Sequence, residues 1–115
     1  MTQEDKQLLL KDLSGRLPYG VNCKMVDDEG EEIVDTLTGI KIEVFDKGII
    51  TDIKPYLRPM SSMTDEEKEE FISFVNTNGC YIKTMDFCYA HHLDNRGLIE
   101  KGLALEAPED MYKND

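Results

Sequence analysis

Apolar residues recur at helical spacing near the start of the chain, at Leu9, Leu10, Leu13 and Leu17. Thr2 stands at the N-cap position, and Asp5 three residues on completes a weak capping box. Gly15 and Pro18 close the segment, so residues 1–17 are predicted to form a helix whose leucine stripe packs on a sheet. From residue 20 the period changes to two. Val21, Cys23 and Met25 alternate with Asn22 and Lys24, and Ile40, Ile42 and Val44 alternate with Lys41 and Glu43. Ile33, Val34 and Leu37 read as a strand between them, and Ile49 to Lys54 as a further one. Asp27-Asp28-Glu29-Gly30, Thr38-Gly39 and Lys47-Gly48 are the turns. Links this short join antiparallel strands, because parallel pairing needs a long crossover. Residues 20–54 are therefore expected to form a four-stranded antiparallel meander, either an open sheet or a small partial barrel.

Pro55 to Pro59 reads as a rigid extended connector, since residues before proline avoid the helical region. Thr64-Asp65-Glu66-Glu67 is a strong capping box, and it starts a helix over 64–77 with Phe71, Ile72, Phe74 and Val75 as its buried face. Asn76 to Gly79 end it. A further helix is predicted after Thr84, carrying Phe87, Ala90 and Leu93, and it breaks at Asp94-Asn95. Leu98-Ile99 sits on a short turn closed at Gly102, and Leu103, Leu105 and Ala107 alternate as a last short strand. Pro108 to Asp115 is polar and expected to fray. The fold class is α+β, one domain over 1–115 with a helical half at 64–107 and three to four helices packed on the meander.

Charge and cysteine content narrow the function classes. The formal net charge is −11, from 24 Asp and Glu against 13 Lys and Arg. A negative surface repels phosphate, so nucleic acid and anionic membranes are not expected as partners. A basic protein partner is compatible with it, and so is solubility alone. No apolar run approaches the ~18 residues of a membrane span. Met1-Thr2-Gln3-Glu4-Asp5 is acidic where a secretory signal is basic, and the cysteines are odd in number and irregular in spacing. The expectation is a cytoplasmic protein with reduced thiols.

Four stretches resemble known sequences: Leu17-Pro18-Tyr19-Gly20, Lys54-Pro55-Tyr56-Leu57-Arg58-Pro59, Ser61-Ser62-Met63-Thr64, and Arg96 to Leu105. Through them the chain resembles a group of small uncharacterised proteins of gut anaerobic bacteria and their phages. The resemblance spans most of the chain. It implies a small intracellular, phage-linked protein, and it implies no activity and no functional residue.

The chemistry-bearing residues are few. Cys88 lies three residues before His91 and four before His92, so either pair can share a helix face, with Cys80 upstream. A thiolate and an imidazole on one face can bind zinc, or can act as nucleophile and base. The short paired spacing of structural zinc sites is absent, adjacent histidines point about 100° apart on a helix, and no oxyanion site is visible. Core packing of Cys88, with histidines at a helix C-terminus, accounts for the same residues. No metal and no cofactor are expected. There is no G-x-G-x-x-G, no Walker loop and no G-x-S-x-G. Arg96, between Asp94-Asn95 and Gly97, either clamps its own turn or contacts a carboxylate or other anion at a binding surface.

These residues read first as a non-enzymatic binding or regulatory protein. Its acidic helix face, Asp65, Glu66, Glu67, Glu69 and Glu70, would meet a basic groove on another protein, and a phage-linked version would be an inhibitor. A zinc-assisted or thiol enzyme built on Cys80, Cys88 and His91 or His92 is the second reading. A structural homodimer is the third.

Overall fold

The computed structural model describes residues 1–27, 29–76 and 81–112. The helices are α1 (Gln3–Arg16), α2 (Gly39–Asp46), α3 (Asp65–Val75) and α4 (Tyr81–Ala90). The strands are β1 (Asn22–Val26), β2 (Glu32–Thr36), β3 (Ile53–Leu57) and β4 (Leu105–Glu106). The chain is therefore α+β, with an open sheet in the order β2-β1-β3-β4. β1 runs antiparallel to β2 and β3, but β3 and β4 are parallel. The sheet is mixed, not the antiparallel meander expected from the short links. The chain between β3 and β4, which contains α3 and α4, is the long crossover that a parallel pair requires.

α1 follows its sequence signals. The Thr2 hydroxyl accepts from the Asp5 amide at 3.0 Å, the Asp5 carboxylate accepts from the Thr2 amide, and Leu9 and Leu13 are fully buried. Residues 40–44 do not form the expected strand. They lie in α2, where Lys41, Ile42 and Phe45 share the inward side at helical spacing and Ile40 is exposed. Over so few residues, periods of 2 and 3.6 are both compatible with the same apolar positions. Phe45, 2% exposed and held in the α1-covered core, decides for the helix.

The strand expected at 49–54 is displaced to Ile53–Leu57, so Pro55 belongs to the sheet and not to a connector. Its missing N–H costs the sheet nothing. Pro55 pairs with Cys23, whose own backbone groups turn toward β2, and alternation then directs the Pro55 nitrogen away from β1. On that other side β4 begins only at Tyr56. α4 starts at Tyr81, earlier than expected, while Leu93 lies beyond it and bridges to Arg58. The C-terminal segment does not simply fray: Tyr112 docks on the sheet. The turn residue Asp28, the helix end at 77–79 and residues 113–115 lie outside the described residues.

The main core gathers Leu9, Leu13, Val21, Cys23, Phe45, Ile53 and Leu57 between α1, α2 and the sheet, with Leu98 and Leu103 from the C-terminal loop. A smaller cluster joins Phe87, Cys88 and Leu93 to Phe71 and Phe74 of α3. A charged group lies between them. Asp12 and Arg16 are both 0% exposed, paired at 2.7 Å. The other Asp12 oxygen holds Arg96 Nη1 at 2.7 Å, and Arg16 Nη2 donates to the Leu93 carbonyl at 2.7 Å. Removing the carboxylate strands two guanidinium groups in the interior. Asp12→Ala is expected to cost about 3–5 kcal/mol, Leu13→Ala about 2–5 kcal/mol, and the neighbouring exposed Lys11→Ala less than about 0.5 kcal/mol. Urea unfolding of the three variants checks the order.

Candidate binding site

The backbone of Arg58, just after β3, is held on both sides: its N–H donates to the His92 carbonyl at 2.7 Å, and its own carbonyl accepts from the Asp94 N–H at 2.8 Å. The side chain reaches the start of α3. Nη1 donates to Glu67 Oε2 at 2.9 Å and to the His91 carbonyl at 3.3 Å. Nη2 donates to Glu67 Oε1 at 2.7 Å and to the Ser62 carbonyl at 3.1 Å, and Nε donates to Ser62 Oγ at 3.3 Å. Glu67 is also the N3 residue of the α3 capping box, accepting from the Thr64 N–H at 2.9 Å, and its Oε2 lies 3.0 Å from His91 Nδ1. The Arg58 hydrogen bonds, reinforced by the Thr64 amide, hold the Glu67 carboxyl down to about 2 against the opposing effect of burial.

His92 follows α4 with φ 59, a left-handed conformation that side chains rarely adopt. Its ring stacks on Tyr112 at 3.7 Å. Burial, then the charges of Arg16, Arg58 and His91, depress its pKa to about 4, so the ring is neutral near pH 7. His92 Nδ1 and Arg16 Nη1 are buried nitrogens without a partner among the described residues. The Tyr112 hydroxyl accepts from the Asn22 N–H at 2.9 Å and donates to the Tyr56 carbonyl at 2.7 Å. Asn22 and Tyr56 are the next pair in the β1–β3 register after Cys23 and Pro55. The hydroxyl therefore bridges a rung that the two backbones do not close themselves.

Two clefts flank this cluster and share Arg58 and Tyr112. The larger, about 710 Å³, lies between the turn at Met60–Ser62, the start of α3 and the C-terminal segment from Glu106. The smaller, about 400 Å³, is walled by Tyr19, Asn22, His91 and His92.

The residues singled out in the sequence fall in three places. Asp65, Glu66, Glu69 and Glu70 lie exposed on α3, whereas Glu67 turns inward to Arg58. Ile72 and Val75, expected in the buried face, are 55% and 58% exposed, because α3 packs through Phe71 and Phe74 onto the cluster of Phe87, Cys88 and Leu93. Cys88 is 1% exposed, and burial pushes its thiol pKa up. His91 faces Glu67 and lies against Phe87 at 4.3 Å, while His92 faces Tyr112, so the two imidazoles diverge. Cys80 lies outside the described residues, and among those described no group of three His, Cys, Asp or Glu is placed to hold a metal. Arg96 does not clamp its own turn: Asp12 takes its Nη1, and the Tyr89 hydroxyl accepts from its Nη2 at 2.7 Å. The turn itself is held by the Asp94 carboxylate, which accepts from the Leu98 and Ile99 N–H groups. Sequence reasoning passed over Arg58 and Tyr112. The available signals were an arginine beside Pro59 and a lone aromatic in a polar tail.

No protein-family model, curated protein or solved structure matches this chain. Among the described residues no helix is long and apolar enough to cross a membrane.

Glu67 and His92 both weaken the fold on acidification, in different windows. An unfolded His92 takes up a proton near its ordinary 6.5 while the folded one resists to about 4, so stability falls as pH drops through that interval. Glu67 contributes stability above its ordinary 4.5 that is lost as pH falls toward about 2. His92→Asn suits the left-handed backbone. It is expected to flatten the fall between pH 7 and 5 and to keep the fall below 4. Urea unfolding across this range checks it, and an unchanged upper slope contradicts the assignment.

Proposed function

We propose that the chain is a protein-binding module acting through the outer face of α3. The supporting observation is the one-sided burial of that helix. It leaves Asp65, Glu66, Glu69 and Glu70 exposed together with Ile72 and Val75. Ile72 follows Glu69 by three positions and precedes Val75 by three, so the apolar pair continues the acidic face. Tyr81 and Ile82 are exposed at the start of α4, at the same end of the α3–α4 hairpin. Exposed apolar groups rimmed by charge suit a contact surface in which apolar contact supplies affinity and charge steers approach. The complementary partner is a basic protein. With the phage-linked resemblance, the module is an inhibitor that occupies a basic groove of a host protein. The thiol alternative finds no support in Cys88, which is buried with its pKa raised.

The test places a photo-reactive phenylalanine analogue at Ile72 in cells that make the protein, with exposed Glu100 as the control position. An adduct from Ile72 and none from Glu100 is expected. Glu66→Gln with Glu70→Gln should leave stability within about 0.5 kcal/mol. The pair should also slow association with the captured partner and reduce its salt dependence. Absence of the Ile72 adduct, or equal rates for both proteins, overturns the reading.

A second reading, the homodimer, has its own observation in β2, an edge strand with all five residues exposed. The Leu37 N–H donates to Val21 and the Glu31 carbonyl accepts from Asp27, so alternation leaves Glu32, Val34 and Thr36 facing outward. Thr36 is occupied, its carbonyl by Lys41 Nζ at 2.6 Å and its N–H by the Asp35 carboxylate. A twofold axis at Ile33 pairs Glu32 with Val34 of a second copy and sets exposed Ile33 against itself. Sedimentation equilibrium should then show a dimer that Val34→Lys dissociates. A monomer at every concentration excludes it.

A further inference from the structure

We infer that the larger cleft receives a lysine or arginine side chain presented by an extended segment of a partner. The inference deepens the protein-binding reading and rests on it for the partner, while its chemistry comes from the cleft itself. With Arg58 on its floor the cleft resembles an anion site, but the hydrogen bonds say otherwise. A guanidinium has five N–H groups, and all five of Arg58 are engaged by Glu67, Ser62 and the His91 carbonyl. Glu67 is occupied in turn by Arg58, the Thr64 amide and His91. The floor is thus a saturated, neutralised pair with nothing left for an anion.

The uncommitted charge belongs to the opposite wall. Glu106 and Glu109 both line the cleft, both are exposed, and neither is paired among the described residues. Pro59, next to Arg58, and Ala107 and Pro108, within the wall itself, offer apolar surface. An apolar passage with carboxylates along one side matches an alkyl stem that ends in a cation. The wall is preformed, being latched at one end by the Ala107 N–H on the Leu57 carbonyl at 2.8 Å and at the other by Tyr112 on Asn22 and Tyr56. Its volume of about 710 Å³ falls within the ordinary range for pockets that enclose small ligands.

The test is a titration of the isotope-labelled protein, followed by amide chemical shifts, with four acetylated and amidated tripeptides: Ala-Arg-Ala, Ala-Lys-Ala, Ala-Gln-Ala and Ala-Glu-Ala. Saturable shifts at Ala107, Glu109 and Tyr112 are expected with the arginine and lysine peptides, weaker ones with glutamine and none with glutamate. Glu106→Gln with Glu109→Gln should lower the affinity for the cationic peptides by about tenfold. Both positions are exposed, so shifts elsewhere in the spectrum should be unchanged, which separates loss of binding from loss of fold. Equal binding of the neutral peptide, shifts confined to other regions, or an unaffected double variant overturns the inference. If the cationic peptides fail while the Ile72 adduct forms, the cleft inference falls and the α3 reading stands.

Discussion

Asp12 is the residue through which distant parts of this chain are tied together. A fully buried carboxylate is stable only when its lost hydration is replaced, and Asp12 does this with two guanidinium groups, Arg16 on the next turn of α1 and Arg96 from the C-terminal loop. Tyr89 of α4 lies against both arginines, with ring centroids 5.2 Å and 5.5 Å from their guanidinium carbons. This approach needs Gly15: a Cβ there would come within 2.5 Å of the Tyr89 ring. Arg16 also holds the Leu93 carbonyl, and Leu93 bridges to Arg58. The position of Arg58, and of Glu67 beyond it, thus follows from a charge pair buried under α1.

A second tie runs through the C-terminal segment. Tyr112 joins β1 to β3 with its hydroxyl and covers His92 with its ring. Burial of that histidine keeps it neutral beside Arg16 and Arg58, whose charges favour the uncharged form. The segment that reads as a polar tail therefore acts as part of the sheet and as one wall of both clefts.

What was legible in the sequence was local. The capping boxes at Thr2 and Thr64, the leucine stripe of α1 and the alternation of β1 all became structure, because each depends on neighbours within one turn or one strand. Residues 40–44 failed because a short apolar run fits both periods and only the seat of Phe45 in the core separates them. The parallel pairing of β4 failed because it joins segments nearly fifty residues apart, beyond the reach of link-length reasoning. The acidic residues of α3 were readable one by one, but the inward turn of Glu67 depends on Arg58, nine residues away across a loop. Arg96 pairs with a residue 84 positions earlier, which no local pattern encodes.

The distribution of cations then bears on how the surface works. The chain has three arginines, Arg16, Arg58 and Arg96, and each is committed to an internal carboxylate. Several lysines are also matched: Lys24 with Glu32, Lys41 with Asp35 and Lys47 with Glu43, all on the sheet and α2 side of the molecule. The carboxylates of outer α3 and of Glu106 and Glu109 have no such partners among the described residues. Other carboxylates without an ion-pair partner among the described residues, such as Glu4, Glu29, Asp52 and Glu100, are spread over the rest of a surface of charge −11, but those of α3 and the C-terminal wall stand beside exposed apolar residues and a preformed cleft. A uniformly acidic surface favours solubility and nothing more specific. Acidic groups placed beside exposed apolar residues and a preformed cleft can orient an approaching basic surface before contact, and that orientation is what electrostatic complementarity contributes to recognition.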